Sequence, residues 1–178
     1  DVIQFGFHAM IRSSKGDVYI DPYNQNTVNY YMSYERKNLI RQNSFECLLA
    51  DETAMEIQNA NGNTVQRTNG TQLRTYRLAL ACTGEYAAFY GGTVSGAMAG
   101  MVTTMNRVNG VYESELSIRM VMVANNNLIV YTNSSSDPYT NNNGSTMLSQ
   151  NQTTCDNIIG SSNYDIGHVF STGGGGVA

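Results

Sequence analysis

The residues that could do chemistry are few. Imidazole is a frequent metal ligand and general base, yet the sequence holds only two histidines, His8 and His168. They are far apart in the chain, and neither a His-x-x-x-His nor a Cys-x-x-Cys spacing occurs. Each histidine therefore reads as a strand residue satisfied by a neighbour. No Gly-x-Ser-x-Gly elbow presents a serine nucleophile. Gly91-Gly92-Thr93-Val94-Ser95-Gly96 lacks the Gly-x-Gly-x-x-Gly spacing, and no Lys-Ser/Thr follows to hold phosphate. The better reading is that Gly92, Gly96 and Gly100 share a helix face and let it approach its sheet. Glu85, in Cys82-Thr83-Gly84-Glu85-Tyr86-Ala87, caps the short segment Tyr86–Tyr90 or binds a cation, and capping is the simpler role. Three cysteines, Cys47, Cys82 and Cys155, leave one thiol over if two pair. Sequons at Asn69, Asn133, Asn143 and Asn151 are expected by chance in a chain this rich in Asn, Ser and Thr.

The elements that would position these residues are clearest in Leu73–Asn125, which reads as strand, helix, strand. Leu73–Ala81 alternates like a half-buried strand. Val94, Ala97, Met98, Met101, Val102, Met105 and Val108 recur at three and four, so Thr93–Asn109 is predicted helical, with Gly110 as its left-handed cap. Glu115–Asn125 alternates again. Such a crossover lays its helix on a parallel sheet, right-handed. Upstream, Val2–Arg12 and Asp17–Ile20 flank the turn Ser13–Gly16 as a hairpin, and Pro22 is expected to stop the second strand. Asn29–Tyr34 reads as a strand and Arg36–Arg41 as a turn or an exposed strand end. Downstream, Asn125–Asn127 is a turn, Leu128–Tyr131 a strand, Thr132–Gly144 a polar loop. Ser145–Ile159 is a helix burying Leu148, Cys155, Ile158 and Ile159, and Tyr164–Ser171 is a strand. Asn59–Thr71 has almost nothing to bury. It divides the chain into a β-rich piece (1–60), a linker (61–72) and an α/β unit (73–178) with a mixed, mostly parallel sheet and two helices.

The 178 residues allow one sizeable core. With 13% charged residues, net charge −4 and a sequence pI near 5.0, there is no basic footprint for nucleic acid. No apolar run is long enough to span a membrane. The Asn, Thr, Ser, Gly and Tyr bias and the lack of Trp suit a secreted or cell-surface domain, and Asp1 as first residue suits a processed form or fragment.

Three stretches carry more than pattern: Arg77–Ala87 (RLALACTGEYA), Met101–Glu113 (MVTTMNRVNGVYE) and Tyr164–Gly176 (YDIGHVFSTGGGG). Together they resemble the N-terminal half of the catalytic domain of bacterial reprolysin-like zinc metallopeptidases, of the metzincin group. Residues 1–60, with Gly6–Met10 and Tyr19–Tyr23, resemble the end of that family's propeptide more loosely. The resemblance implies a metzincin upper subdomain and peptide-bond hydrolysis by a zinc-activated water. The family's zinc site, His-Glu-x-x-His-x-x-Gly-x-x-His, has no matching positions here. No zinc ligand and no general base are therefore carried over, no zinc is expected on this chain, and alone it is expected to be inactive. The resemblance assigns the substrate-pairing edge strand to Gly173, Gly174, Gly175, Gly176, Val177 and Ala178, whose glycines admit an incoming backbone. It makes Cys47 a candidate latency thiol, although Leu48 stands where that switch has glycine. Implied partners are a peptide or protein substrate and the remainder of the catalytic domain. The alternative is a non-catalytic secreted binding module on the same scaffold.

Overall fold

The computed structural model describes residues 1–39, 72–173 and Gly176. Cys47 and residues 40–71, including the linker up to Thr71, lie outside these residues, as do Gly174, Gly175, Val177 and Ala178.

The core is built on one strand. β6 (Arg74–Cys82) is central in a three-stranded parallel sheet, between β7 (Ile118–Met122) and β8 (Ile166–Phe170). The alternation of Leu73–Ala81 predicted a half-buried strand, but Leu78–Cys82 is buried on both faces. Leu78, Leu80 and Cys82 face one helical layer, while Ala79 and Ala81 face the other. Such two-sided burial is what a parallel sheet covered by helices demands. The small alanines let the second layer come close.

Three helices cover the sheet, one more than the sequence reading. α1 (Gly84–Phe89) follows β6 directly, α2 (Val94–Leu116) is the crossover, and α3 (Gly144–Ile158) covers the alanine face. Ala97, Met101 and Met105 of α2 are buried against Leu78 and Leu80, as their spacing required. The helix does not stop at Gly110. It runs to Leu116 and ends at Ser117, whose φ of 55° places it in the left-handed region, and β7 starts at the next residue. α3 buries Met147, Asn151, Thr154 and Cys155, and Ile159 is buried just beyond it. Leu148 and Ile158, expected inside, are exposed. Leu128–Tyr131 is not a strand: Asn126–Ile129 forms a 3-10 turn, and Val130 makes a single bridge to Cys82.

The N-terminal residues form a ribbon of β1 (Val2–Ile3) and β2 (Gly6–Phe7), and an antiparallel sheet in the order β3 (Ala9–Ile11), β4 (Val18–Asn24), β5 (Thr27–Glu35). The hairpin about Ser13–Gly16 is present: Ile11 pairs with Val18. Pro22 does not end β4, which continues to Asn24, with Pro22 opposite Tyr31. The reason lies in the pairing. β3 accompanies β4 only to Ile20, so Asp21–Asn24 has a strand on one side only, where a proline takes no second ladder bond.

This sheet packs on α2, opposite the sheet-facing stripe. Thr103, Arg107, Gly110 and Ser114 recur at four, three and four along one helix face. Thr103 Oγ1 donates to Asp1 Oδ2 at 3.1 Å, and Arg12 donates to the Gly110 carbonyl at 3.2 Å, to Glu115 Oε1 at 2.7 Å, and to Ser114 Oγ.

Candidate functional site

In open parallel sheets, ligands bind beyond the carboxyl ends of the strands. Here those ends are occupied by a connected set: Thr83-Gly84 after β6, Thr172-Gly173 after β8, and the loop Tyr131–Asn143 between them. The sequence explains the set locally. Thr83 is the N-cap of α1, its hydroxyl accepting from Tyr86 N–H, so the helix starts immediately at the strand end. Asp137 Oδ2 accepts the Gly84 N–H at 2.7 Å, placing a carboxylate at the positive end of α1, and Asp137 Oδ1 accepts Tyr139 N–H at 2.9 Å. A Cβ on Gly84 would stand 2.1 Å from Ser134 N, so only glycine fits under this loop.

Asn141 ties the loop to both strand ends. Its Oδ1 accepts Thr172 N–H at 3.2 Å and lies 3.2 Å from Thr83 Oγ1, while its Nδ2 donates to Thr172 Oγ1 at 2.9 Å. A Cβ on Gly173 would meet the Asn142 backbone at 2.8 Å. The start of the glycine run is thus fixed against a loop. β8 is one of the two outer strands, pairing with β6 from Leu78↔Ile166 to Cys82↔Phe170, and the chain leaves it toward Gly173. At its other end, Arg77 embraces Asp165 with Nη2–Oδ1 at 2.7 Å and Nε–Oδ2 at 3.1 Å, which holds the Asp165 carboxyl down at about 2. Of the assigned edge positions, Gly173 lies at this junction and Gly176 makes one β-bridge.

The remaining candidates are dispersed. His8 Nδ1 lies 2.6 Å from Asp21 Oδ1 in the N-terminal sheet. His168, on β8, is exposed, its ring edge-on to Phe170 at 5.5 Å between centroids. Cys82 and Cys155 are free and buried in different side-chain clusters, so they do not pair. Burial pushes their thiols up to about 12 and about 11, the wrong direction for a nucleophile or a metal ligand. Glu85 sits in the first turn of α1, but the capping bond comes from Thr83, and Glu85 Oε2 is buried without a hydrogen-bond partner. The glycines Gly96 and Gly100 do not bring α2 to the sheet. They make room for Tyr90, whose carbonyl and ring would lie 2.0 and 2.4 Å from their added Cβ atoms. Asn151 and Asn143 of the sequons are structural, bonding Tyr139 Oη at 3.0 Å and capping α3 through Thr146 N–H at 3.1 Å. Asp137 and Asn141 escaped the sequence reading, since neither spacing nor charge distinguishes them within a polar loop.

Comparison with known proteins gives the class. The model of the family described as metallo-peptidase family M12B, reprolysin-like, matches residues 72–177. The chain belongs to this family of metallopeptidases. No curated protein and no solved structure matches it. The family is zinc-dependent, so the donors present must be tested against zinc. Among the described residues no three of His, Cys, Asp and Glu come together as a metal site. One imidazole is engaged by Asp21, the other lies against a ring, and both described thiols are held protonated. These residues do not fit a catalytic zinc, which takes three protein ligands. No helix among them is long and apolar enough to cross a membrane.

Proposed function

We propose that this chain is the substrate-aligning upper part of a secreted zinc endopeptidase, preceded by a propeptide segment. One observation carries the reading: the edge strand β8 leads through Thr172, tied to Asn141, into a glycine run whose first residue, Gly173, is seated against Asn142. An extended peptide laid along Gly173–Ala178 would meet no side chains of those glycines and would exchange main-chain hydrogen bonds with them. Binding of this kind takes affinity from the backbone and leaves specificity to flanking pockets. Zinc and the residues that hold it come from outside this set, so the chain by itself aligns substrate and does not hydrolyse it. Cys47 serves as the latency thiol of the intact zymogen, because a thiolate at zinc excludes the water the reaction needs.

The test is a titration of isotopically labelled chain with a tryptic casein digest, read by amide chemical shifts. Shifts concentrated at Gly173–Ala178, and lost in Gly175→Pro, which removes one N–H donor, are expected. Shifts confined elsewhere, or unchanged by the proline, overturn the reading.

A further inference from the structure

The Asp21 carboxylate gathers partners from β5, from α2 and from His8 between β2 and β3, and joins the N-terminal sheet to the helical layer. Tyr34 of β5 donates to its Oδ2 at 2.6 Å, His8 Nδ1 lies 2.6 Å from its Oδ1, and Arg107 Nη2 of α2 donates to the same Oδ1 at 2.5 Å. Arg107 is held in place by a second contact, its guanidinium carbon 5.0 Å above the centre of the Tyr19 ring, which stacks on Tyr34. The Asp21 side chain is 16% exposed and that of Arg107 28%.

A second observation points the same way. Gly110 stands in the interior of α2, where glycine is about 1 kcal/mol less favourable than alanine. An added Cβ would meet Met10 Cε at 2.9 Å, and the Gly110 carbonyl accepts from Arg12. Met10 Cε is the tip of a flexible side chain, so what the contact marks is that Gly110 lies under the N-terminal sheet, on the same helix face that carries Arg107. The sheet-facing stripe of α2 has no use for it.

We propose that the N-terminal sheet is a separable module docked on α2, that Asp21–Arg107 is its principal latch, and that residues 1–39 stay bound to the α/β unit after the connecting chain is cut. The partner surface is the stripe Thr103, Arg107, Gly110 and Ser114, which recognises a buried carboxylate presented by a β-sheet. This does not rest on the peptidase reading: it concerns docking, whatever the α/β unit does. It means that cleavage between the two parts does not by itself separate them.

The experiment starts from the full chain, with a specific protease site replacing residues 62–67, cut to completion and passed over a size-exclusion column at low salt. The two fragments are expected to co-elute. Asp21→Asn and Arg107→Gln are each expected to weaken the cut pair by about tenfold or more, since either change removes the part-buried charge pair that joins the sheet to α2. The double variant should be little worse than either single one, and Arg12→Ala, on a more exposed pair, should weaken it less. Immediate separation of the parent fragments overturns the proposal, as do variants that bind as tightly as the parent or single effects that simply add. Each uncut variant is checked by amide exchange of β6. If both Asp21→Asn and Arg107→Gln lose β6 protection before cutting, the sheet is part of the core and not a separable module, which also overturns it.

Discussion

Asn126 completes the hydrogen bonding of Leu80. Its Oδ1 accepts the Leu80 N–H at 2.8 Å and its Nδ2 donates to the Leu80 carbonyl at 2.8 Å. β7 accompanies β6 only to Leu78, and the one bridge beyond is Val130 to Cys82. A side-chain amide thus supplies the rung that a longer strand would have made, with Asn126 itself 1% exposed. Replacing it by leucine, similar in size, leaves both Leu80 groups buried and unpaired, each costing about 1–3 kcal/mol. We expect Asn126→Leu to lower stability by about 2–6 kcal/mol in urea denaturation. A loss below 0.5 kcal/mol would show that water takes over the rung.

Gly84 gives a second prediction. An alanine there drives a methyl into the Ser134 backbone, which cannot move as a side-chain tip can. Gly84→Ala should cost about 1–3 kcal/mol, as overpacked sites do. It should also free the loop that carries Asp137 and Asn141, seen as faster amide exchange at Tyr139 and Thr172.

The thiols provide a third. With Cys47 replaced by alanine, Cys82 and Cys155 should react with a disulfide reagent at pH 8 many times more slowly in the folded chain than in denaturant. Burial raises both well above an ordinary thiol, so the thiolate fraction at that pH is small. Fast stoichiometric reaction of the folded form would contradict the buried placement.

Docking of the N-terminal sheet should depend on pH in a defined sense. Burial works against ionisation of Asp21, but the hydrogen bonds from Tyr34, His8 and Arg107 outweigh it and hold the carboxyl below its ordinary value. A depressed carboxyl contributes fully above the ordinary carboxylate range, and its contribution is lost as pH falls through the lowered value. Tyr34 is pushed the other way, to about 12, by burial and by Asp21, so its contribution persists from below its ordinary value and is lost as pH rises through about 12. The near-ultraviolet circular dichroism of the stacked Tyr19–Tyr34 pair should show an acid limb as pH falls through the lowered Asp21 value. Asp21→Asn should abolish the acid limb. An unchanged acid limb would remove Asp21 from the account.

Activity supplies the last prediction. The purified chain should carry far less than one zinc per molecule by mass spectrometry and should not cleave casein. Stoichiometric, tightly held zinc with hydrolysis would mean that the chain assembles a donor set beyond the described residues.

What was legible in the sequence was whatever periodicity controls. The α2 stripe Ala97, Met101, Met105 and the β6–α2–β7 crossover are there because burial repeats with the helix and strand periods. Gly110 suggests an end because glycine near a helical pattern usually means one, whereas here it lies inside the helix under a packed sheet that local pattern cannot reveal. Pro22 misled because its tolerance depends on how far β3 extends, a non-local fact. Asn126 reads as a turn residue, and the structure has it opening a 3-10 turn, but a turn asparagine that also plugs a strand edge looks like any other. The carboxyl-end set of Thr83, Asp137 and Asn141 is joined only by folding, across about sixty residues of chain.

The joint between α2 and β7 has a consequence for how this fold can vary. A single residue, Ser117, separates helix from strand, and its carbonyl already accepts from Arg74 N–H at 2.9 Å. There is no slack to absorb a change of length. Inserting or deleting one residue would turn β7 over, sending Met120 and Met122 outward and Arg119 and Val121 into the helical layer. The Leu116–Ile118 joint is a fixed count, a ruler against which the rest of the crossover is measured.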